Sequence, residues 1–307
     1  MCLASLGLLG AFCPLAAAGV SAADDPPAVA VASLDGGGQL TVRSRTAAGN
    51  HLSVSKSGVD FVVRDARGPV TAGHGCRAAP HSRKAVCHGS VTKVAVVLSP
   101  RADWLSVHVP VPVRASGGRG SDWLSARMGQ AAPVVFDGGP GDDMLYGGDS
   151  GDVLTGGHGD DILAGGPGRD TVSYAGRPTP VTVSLDGIRR NDGGAGEEDS
   201  VRGDVENIVG TGAADTLVGN FKDNRIWGHG GDDLIRGLAG RDSLFGGSGN
   251  DFVFGGAGPD AAFGDGGADY LGGLDGAAGN DRMQGGNRTD ICTADEDDAR
   301  RARERWR

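Results

Sequence analysis

A chain of 307 residues is long enough for two ordinary domains, yet 57 of them are glycine and only 5% are aromatic, which excludes a conventional large hydrophobic core along the whole length. The formal net charge is −10, from 39 acidic and 29 basic residues, which argues against nucleic acid as a partner and in favour of cations. Such a composition also suits a disordered chain, so periodicity has to decide.

Residues 1–22 read as an export signal. An uncharged apolar run through Leu8 and Leu9 ends at Val20-Ser21-Ala22, a small-residue cleavage pattern, so cleavage is expected after Ala22 and the mature protein is expected to be secreted and extracellular. The run lacks Lys or Arg at its start, which leaves an upstream initiator or an uncleaved anchor as alternatives. Lipid attachment at Cys13 is disfavoured by the bulky Phe12 before it. Removal of the signal leaves Cys76, Cys87 and Cys292 in an oxidising compartment, where Cys76 and Cys87 form the natural disulfide. Closing that loop stabilises by roughly 3 kcal/mol in the chain-entropy picture. The rival is a zinc cluster with His74, His81 and His88, whose spacing matches no standard finger.

Residues 28–116 show short alternating runs, among them Leu40-Thr41-Val42, Leu52-Ser53-Val54 and Phe61-Val62-Val63, divided by Gly, Pro and Ser. The pattern is that of a small all-β module. Its expected role is to cap the open end of whatever follows, with ligand binding as an alternative.

From residue 117 the chain repeats in nonapeptides of the form G-G-x-G-x-D-x-U-x, with U a large apolar residue. One unit starts at Gly117; four more start at Gly138, Gly147, Gly156 and Gly165. A second run, over residues 210–293, starts at Gly210, keeps register to Gly264, slips by three residues at Gly273-Leu274-Asp275, and resumes at Gly276 and Gly285. Glycine-rich six-residue stretches make tight turns, and x-U-x suffices only for a short strand. Two nonapeptides therefore form one coil, and each unit stacks on the unit two further along at about 4.8 Å. The sixth positions are Asp122, Asp143, Asp152, Asp161, Asp170, Asp215, Asn224, Asp233, Asp242, Asp251, Asp260, Asp269, Asp281 and Asp290.

Stacking brings these carboxylates together as Asp143/Asp161, Asp152/Asp170, Asp215/Asp233, Asp233/Asp251, Asp242/Asp260 and Asp251/Asp269, with Asn224/Asp242 a mixed, weaker pair. Two such charges repel by roughly 1 kcal/mol in water and about 3–4 at an effective dielectric of 20. A divalent ion between them reverses the sign. Carboxylates with turn carbonyls form a roomy set of hard oxygens, which suits Ca²⁺ better than Mg²⁺ or Zn²⁺. Asp142, Asp160 and Asp232 at the fifth position are expected to face solvent. The slip leaves the partners of Asp281 and Asp290 open, so Asp251, in two pairs, is expected to matter more than Asp281. Ala262, small where U should be large, marks a thin point in the core.

These units resemble the RTX, or haemolysin-type, calcium-binding repeats of secreted bacterial proteins. The resemblance implies an all-β fold, a parallel β-roll (β-solenoid) in which the sixth-position residues and turn carbonyls ligate Ca²⁺. With its preceding disulfide-bonded module the chain looks like a small secreted actinobacterial calcium-binding protein.

The first run with its interruption spans residues 117–173. Residues 174–209 then read as an insertion: Val172-Ser173-Tyr174 and Val181-Thr182-Val183-Ser184-Leu185 flank Arg177-Pro178-Thr179-Pro180 as a hairpin excursion. Residues 191–199 read as a solvated loop, with Asp192 or Asp199 as alternative calcium ligands. The tail, residues 294–307, places acids first and five arginines among the last eight residues, which suits a short capping helix or a frayed end. A basic, Trp-tipped surface anchor is the alternative.

No H-E-x-x-H helix or G-x-S-x-G elbow occurs, and the histidines are scattered, so an enzyme is not expected. The expected function is calcium binding by a secreted, monomeric β-roll that folds on Ca²⁺ binding, in a structural or buffering role. The alternative is a calcium-stabilised surface adhesin or carbohydrate-binding module with a cell-surface or glycan partner.

Overall fold

A computed structural model describes residues 29–45, 48–273 and 281–294; the expected signal, the slip and the charged tail lie outside them. Every regular element among the described residues is a strand. They form one sheet of thirteen strands, one of nine and one of seven. The described residues thus form an all-strand parallel β-solenoid, as the nonapeptide pattern implies.

The coil length follows directly from the register. In the thirteen-stranded first sheet Phe136 pairs with Leu154 and Leu154 with Val172; further on, Ile226 pairs with Leu244 and Leu244 with Ala262. Each step is two nonapeptides. The opposite wall is the second sheet, in which Leu124, Leu145 and Leu163 stack. The third sheet follows, where Leu217, Ile235, Val253 and Leu271 stack. All these apolar residues point inward and are fully buried, and Ala262 is 2% exposed. One side chain per nonapeptide from each wall makes a core that is one residue thick per layer.

The turns between walls come close enough to demand glycine. A Cβ on Gly139 would lie 1.9 Å from Gly118 O, and Gly139 has φ of 107°. His229, Leu238 and Asp265 hold the equivalent second position with φ of 77°, 82° and 68°. Coil stacking therefore imposes the left-handed turn even where the side chain disfavours it by about 1–2 kcal/mol.

The N-terminal strands belong to the same stack. His51–Ser57 and Trp104–His108 continue the second sheet from Trp123–Ala126, while Gln39–Ser44, Lys93–Val97 and Val113–Ser116 continue the first. Both sheets run through residues 116–117 without a break. The parallel stack ends in antiparallel strands: Ala30–Leu34 against Gln39–Ser44, and His51–Ser57, Asp60–Asp65, Lys84–Cys87 and Cys76–Arg77 in sequence. Cys76 and Cys87 face each other in the last pair and are disulfide-bonded, so they are not zinc ligands.

Two expectations are corrected here. The hairpin between residues 172–174 and 181–185 does not form, because Thr171–Ser173 lies in the first sheet and Val181–Ser184 opens the third. Val181–Ser184 pairs in parallel with Thr216–Val218, which buries Val181 and Val183 in the core. Residues 191–199 are not a purely solvated loop: Asp192 is 2% and Asp199 0% exposed. Ser200–Val201 ends the second sheet and Asn207–Val209 fills a place in the first, so the insertion is itself wound into the solenoid.

Candidate metal centres

Each sixth-position residue stands immediately before a strand, which places it at the corner where a turn enters a wall. Thirteen of the fourteen, from Asp122 to Asp281, are 9% exposed or less; Asp290 is half-buried. Buried carboxylates demand partners, and the backbone supplies half of them. The amide of Asp143 donates to Asp161 Oδ1 at 2.8 Å, that of Asp152 to Asp170 Oδ1 at 2.8 Å, and that of Asn224 to Asp242 Oδ1 at 2.8 Å. The same bond links Asp215 to Asp233, Asp233 to Asp251, Asp242 to Asp260 and Asp251 to Asp269. The structure thus brings together every pair that stacking two units apart requires.

The bonds run on beyond those pairs into ladders, one along each sheet, of which the first is interrupted at Glu206, whose amide donates to the Asp170 carbonyl. Along the second sheet, the amides of Asn50, Asp103, Asp122 and Asp161 donate to Asp103, Asp122, Asp143 and Asp199. Along the first, the Asp170 amide donates to Glu206 Oε2 at 2.9 Å, and Asp260 reaches Asp281 Oδ1 at 2.9 Å. Along the third, Asp269 reaches Asp290 Oδ1 at 3.1 Å. Asp281 and Asp290 therefore have defined partners, at an offset of 21 residues where the in-register repeat pairs, such as Asp251 and Asp269, have 18.

No glycine pair precedes Asp103, Asp199 or Glu206; the repeat pattern offers Asp199 only as an alternative ligand and does not mark Glu206 as a rung at all. Their signal is shorter: an acid followed two residues on by a buried apolar side chain, as in Asp103-Trp104-Leu105, Asp199-Ser200-Val201 and Glu206-Asn207-Ile208.

The second carboxylate oxygen has a different fate. Oδ2 of Asp122, Asp143, Asp161, Asp170, Asp233, Asp242, Asp251 and Asp269 is buried without a hydrogen-bond partner. It faces the first glycine of its own unit and, at Asp122, Asp143, Asp233, Asp242 and Asp269, a carbonyl of the next coil. A Cβ added to Gly138 would lie 2.2 Å from Asp143 Oδ2 and 2.6 Å from Gly156 O. Gly228 meets Asp233 Oδ2 at 2.1 Å and Gly246 O at 2.6 Å, and Gly237 meets Asp242 Oδ2 at 2.2 Å and Gly255 O at 2.6 Å. The cradles of Asp122, Asp143, Asp233, Asp242 and Asp269 therefore gather an unsatisfied carboxylate oxygen and a turn carbonyl around space that only glycine leaves free.

Three positions depart from this. Asp152 Oδ2 accepts the Gly148 amide at 2.6 Å, Asp215 Oδ2 accepts that of Thr211 at 2.6 Å, and Asn224 Oδ1 accepts that of Asn220 at 2.7 Å. At Glu206 a cation is built in, since Lys222 Nζ bonds its carboxylate. The fifth-position acids are also more engaged than expected. Asp142 Oδ1 accepts the Asp160 amide at 3.1 Å and Asp232 Oδ1 that of Asn250 at 2.7 Å, forming a second, outer set of rungs.

Burial drives the carboxyl of Asp143 up to about 8, and repulsion from Asp161 and Asp122 adds to the rise. Burial likewise lifts Asp122, Asp161, Asp170, Asp233 and Asp242 to about 7 and Asp251 to about 6. Without a counter-cation Asp143 resists ionisation at neutral pH, the groups at about 7 are only partly ionised there, and Asp251 is the least affected. Among the described residues no group of three or more His, Cys, Asp or Glu side chains is arranged to hold a metal by itself, so backbone carbonyls have to complete any coordination shell. Such an all-oxygen set, part carboxylate and part carbonyl, fits calcium and not zinc.

A parallel β-solenoid with carboxylate–carbonyl cradles at its corners defines a calcium-binding β-roll. The RTX calcium-binding nonapeptide repeat model matches four stretches, residues 137–172, 209–244, 245–277 and 274–298. Residues 137–172 and 209–298 are thus RTX repeats, whose nonapeptides bind Ca²⁺. No curated protein matches the chain.

Proposed function

We propose that this is an exported calcium-binding scaffold whose RTX region folds as Ca²⁺ reaches roughly millimolar, extracellular levels. The observation that carries the reading is the series of buried Asp Oδ2 atoms with no hydrogen-bond partner. Such oxygens cost free energy unless a cation meets them. Asp122, Asp143, Asp161, Asp170, Asp233, Asp242, Asp251 and Asp269 are the proposed ligands of the open cradles, with the carbonyls facing them; Asp260, Asp281 and Asp290 continue the series. Asp152, Asp215 and Asn224 are proposed as weaker sites because a backbone amide already occupies the relevant oxygen. The role is structural or buffering, and the scaffold is not an enzyme.

Circular dichroism of the chain from residue 23 onward, calcium-free and then in rising CaCl₂, should show coil converting cooperatively to β-structure. A β spectrum already complete without calcium would sink the proposal. Export is checked separately by N-terminal sequencing of protein recovered from culture medium, which should begin at Ala23.

A further inference from the structure

The outer face of the second sheet carries an arrangement that calcium binding does not use. Strand register places His51, Trp104 and Trp123 in one row across neighbouring coils, and Ser53, Ser106, Ser125 and Tyr146 in the next row. The rings form a continuous track. His51 stacks on Trp104 with centroids 4.9 Å apart, Trp104 meets Trp123 at 3.6 Å, and Trp123 meets Tyr146 at 6.1 Å. In a chain with only four tryptophans, two of them share this solvent-facing stripe.

The track ends in clefts on both sides. One, of about 720 Å³, is floored by Trp123 and Tyr146 and walled by Arg127 and Met128; Met128 is 88% exposed. The other, of about 340 Å³, opens beside His51 and Ser53 and is lined by Arg64 and Arg83. Arg64, Arg83 and Arg127 are exposed and make no ion pair among the described residues. The one acid lining the first cleft, Asp149, accepts the Gly129 amide through Oδ2.

We propose that this face, floored by Trp104, Trp123 and Tyr146 and edged by Arg64, Arg83 and Arg127, binds an acidic polysaccharide chain. The inference goes beyond calcium-dependent folding and rests on it only in that Trp123 and Tyr146 stand on coils of the folded roll. Aromatic faces pack against the apolar CH faces of pyranose rings, while the in-register row of serine hydroxyls offers donors and acceptors beside them. Rows repeating at the coil spacing present the same pair of contacts several times along one line, which suits a polymer of repeating sugar units. Charge selects the kind of polymer: on a protein of net charge −10, three exposed arginines against one exposed acid, Asp149, and the buried Asp65 in the two clefts leave this face locally positive, so it attracts carboxylates that the rest of the surface repels. Trp104 and Trp123 are already in contact, which leaves no slot for a nucleobase between them; a ligand has to lie across the rings.

The test is calorimetric titration of short oligogalacturonides into the full, calcium-loaded chain, with circular dichroism confirming its fold. Binding should weaken by about tenfold or more, the size of one or two lost ring contacts, on Trp104→Ala with Trp123→Ala. It should weaken similarly on Arg64→Gln with Arg83→Gln and Arg127→Gln, and rising salt should reduce it. These side chains lie outside the core, so both variants should keep the wild-type spectrum; Ser57→Ala, on the same strand as Ser53 but away from the rings, is the matched control and should bind as wild type. Absence of binding by folded protein would overturn the proposal, as would undiminished binding by either variant. Equal affinity for neutral cello-oligosaccharides, or a preference for oligothymidylate over oligogalacturonide, would overturn it too.

Discussion

Asp143 shows what a single residue does in this fold. Its amide and Oδ1 are spent on the ladder, and its Oδ2 is buried without a hydrogen-bond partner. The carboxyl is raised from 3.8 to about 8 by burial. A group whose folded value is raised adds stability that is fully present below the unfolded value and is lost as pH climbs through the folded one. Each unit of rise is worth about 1.4 kcal/mol, so a few such carboxylates outweigh a typical folding free energy of about 5–15 kcal/mol. The calcium-free chain is therefore expected to gain β-structure on acidification from pH 8 towards pH 5, while calcium affinity falls because protons compete for the same oxygens. Circular dichroism against pH without calcium, paired with calcium isotherms at both ends of the range, checks both; a calcium-free spectrum constant across the range would contradict the raised values. Glycine matters here through space and not through conformation. Gly138→Ala would put a methyl 2.2 Å from Asp143 Oδ2, whereas Gly212 has nothing within 4 Å. The first substitution is expected to remove about one calcium per molecule and the second none, by calorimetric stoichiometry. Equal stoichiometry in both variants would place the ion elsewhere.

At the level of the repeat unit, the two-unit stacking was legible from the spacing alone, because fixed Asp and fixed apolar positions nine residues apart leave few other ways to wind. Less legible were rungs without a glycine pair, where Asp199 stands only as an alternative ligand and Glu206 is unmarked, and the winding of residues 174–209 into the solenoid. Parallel pairing over long sequence distance leaves no local signature, and Arg177-Pro178-Thr179-Pro180 looks the same leading to a hairpin as leading across to another sheet. The three-residue slip was misleading in the opposite sense. Arg282–Asn287 stacks on Ala261–Gly266 and Ile291–Ala294 on Tyr270–Gly273, so Asp281 and Asp290 rejoin the ladders. Asp251 takes part in two rungs, as acceptor from Asp233 and as donor to Asp269, and Asp281 accepts from Asp260 near the described end of its ladder. Asp281→Ala is accordingly expected to lower calcium stoichiometry measurably, and Asp251→Ala to lower it further. An Asp281→Ala variant that titrates like the wild type would mean that the rung seen here does not serve a cation.

Across the whole molecule, stability has a direction. In a stack whose layers touch only their neighbours, each coil's free energy is its own ordering cost plus the interface with the coil before it. An isolated repeat coil buries little more than one apolar side chain per wall, so its ordering has to be driven by Ca²⁺ or by a template already in place. The N-terminal strands are that template. They close the stack with antiparallel pairs and the Cys76–Cys87 disulfide, they hold a buried acid–amide cluster in which Asn50 Nδ2 donates to Asp65 Oδ2 at 2.8 Å and Ser99 Oγ to Asp103 Oδ2 at 2.7 Å, and they share both sheets with the first repeats. At the other end Cys292 takes the core-facing register opposite Leu271 yet is exposed, so the described stack has no comparable closure there. Calcium-driven ordering should therefore start against the N-terminal strands and travel towards residue 294. Hydrogen exchange at stepped calcium concentrations should show amides of residues 123–146 protected first and those of residues 282–294 last. Cutting the cap with Cys76→Ser and Cys87→Ser should move the whole series to higher calcium, because the loss of roughly 3 kcal/mol from the loop closure weakens the template on which every later coil depends. Simultaneous protection along the chain, or protection advancing from residue 294, would show that the coils order without reference to the N-terminal strands.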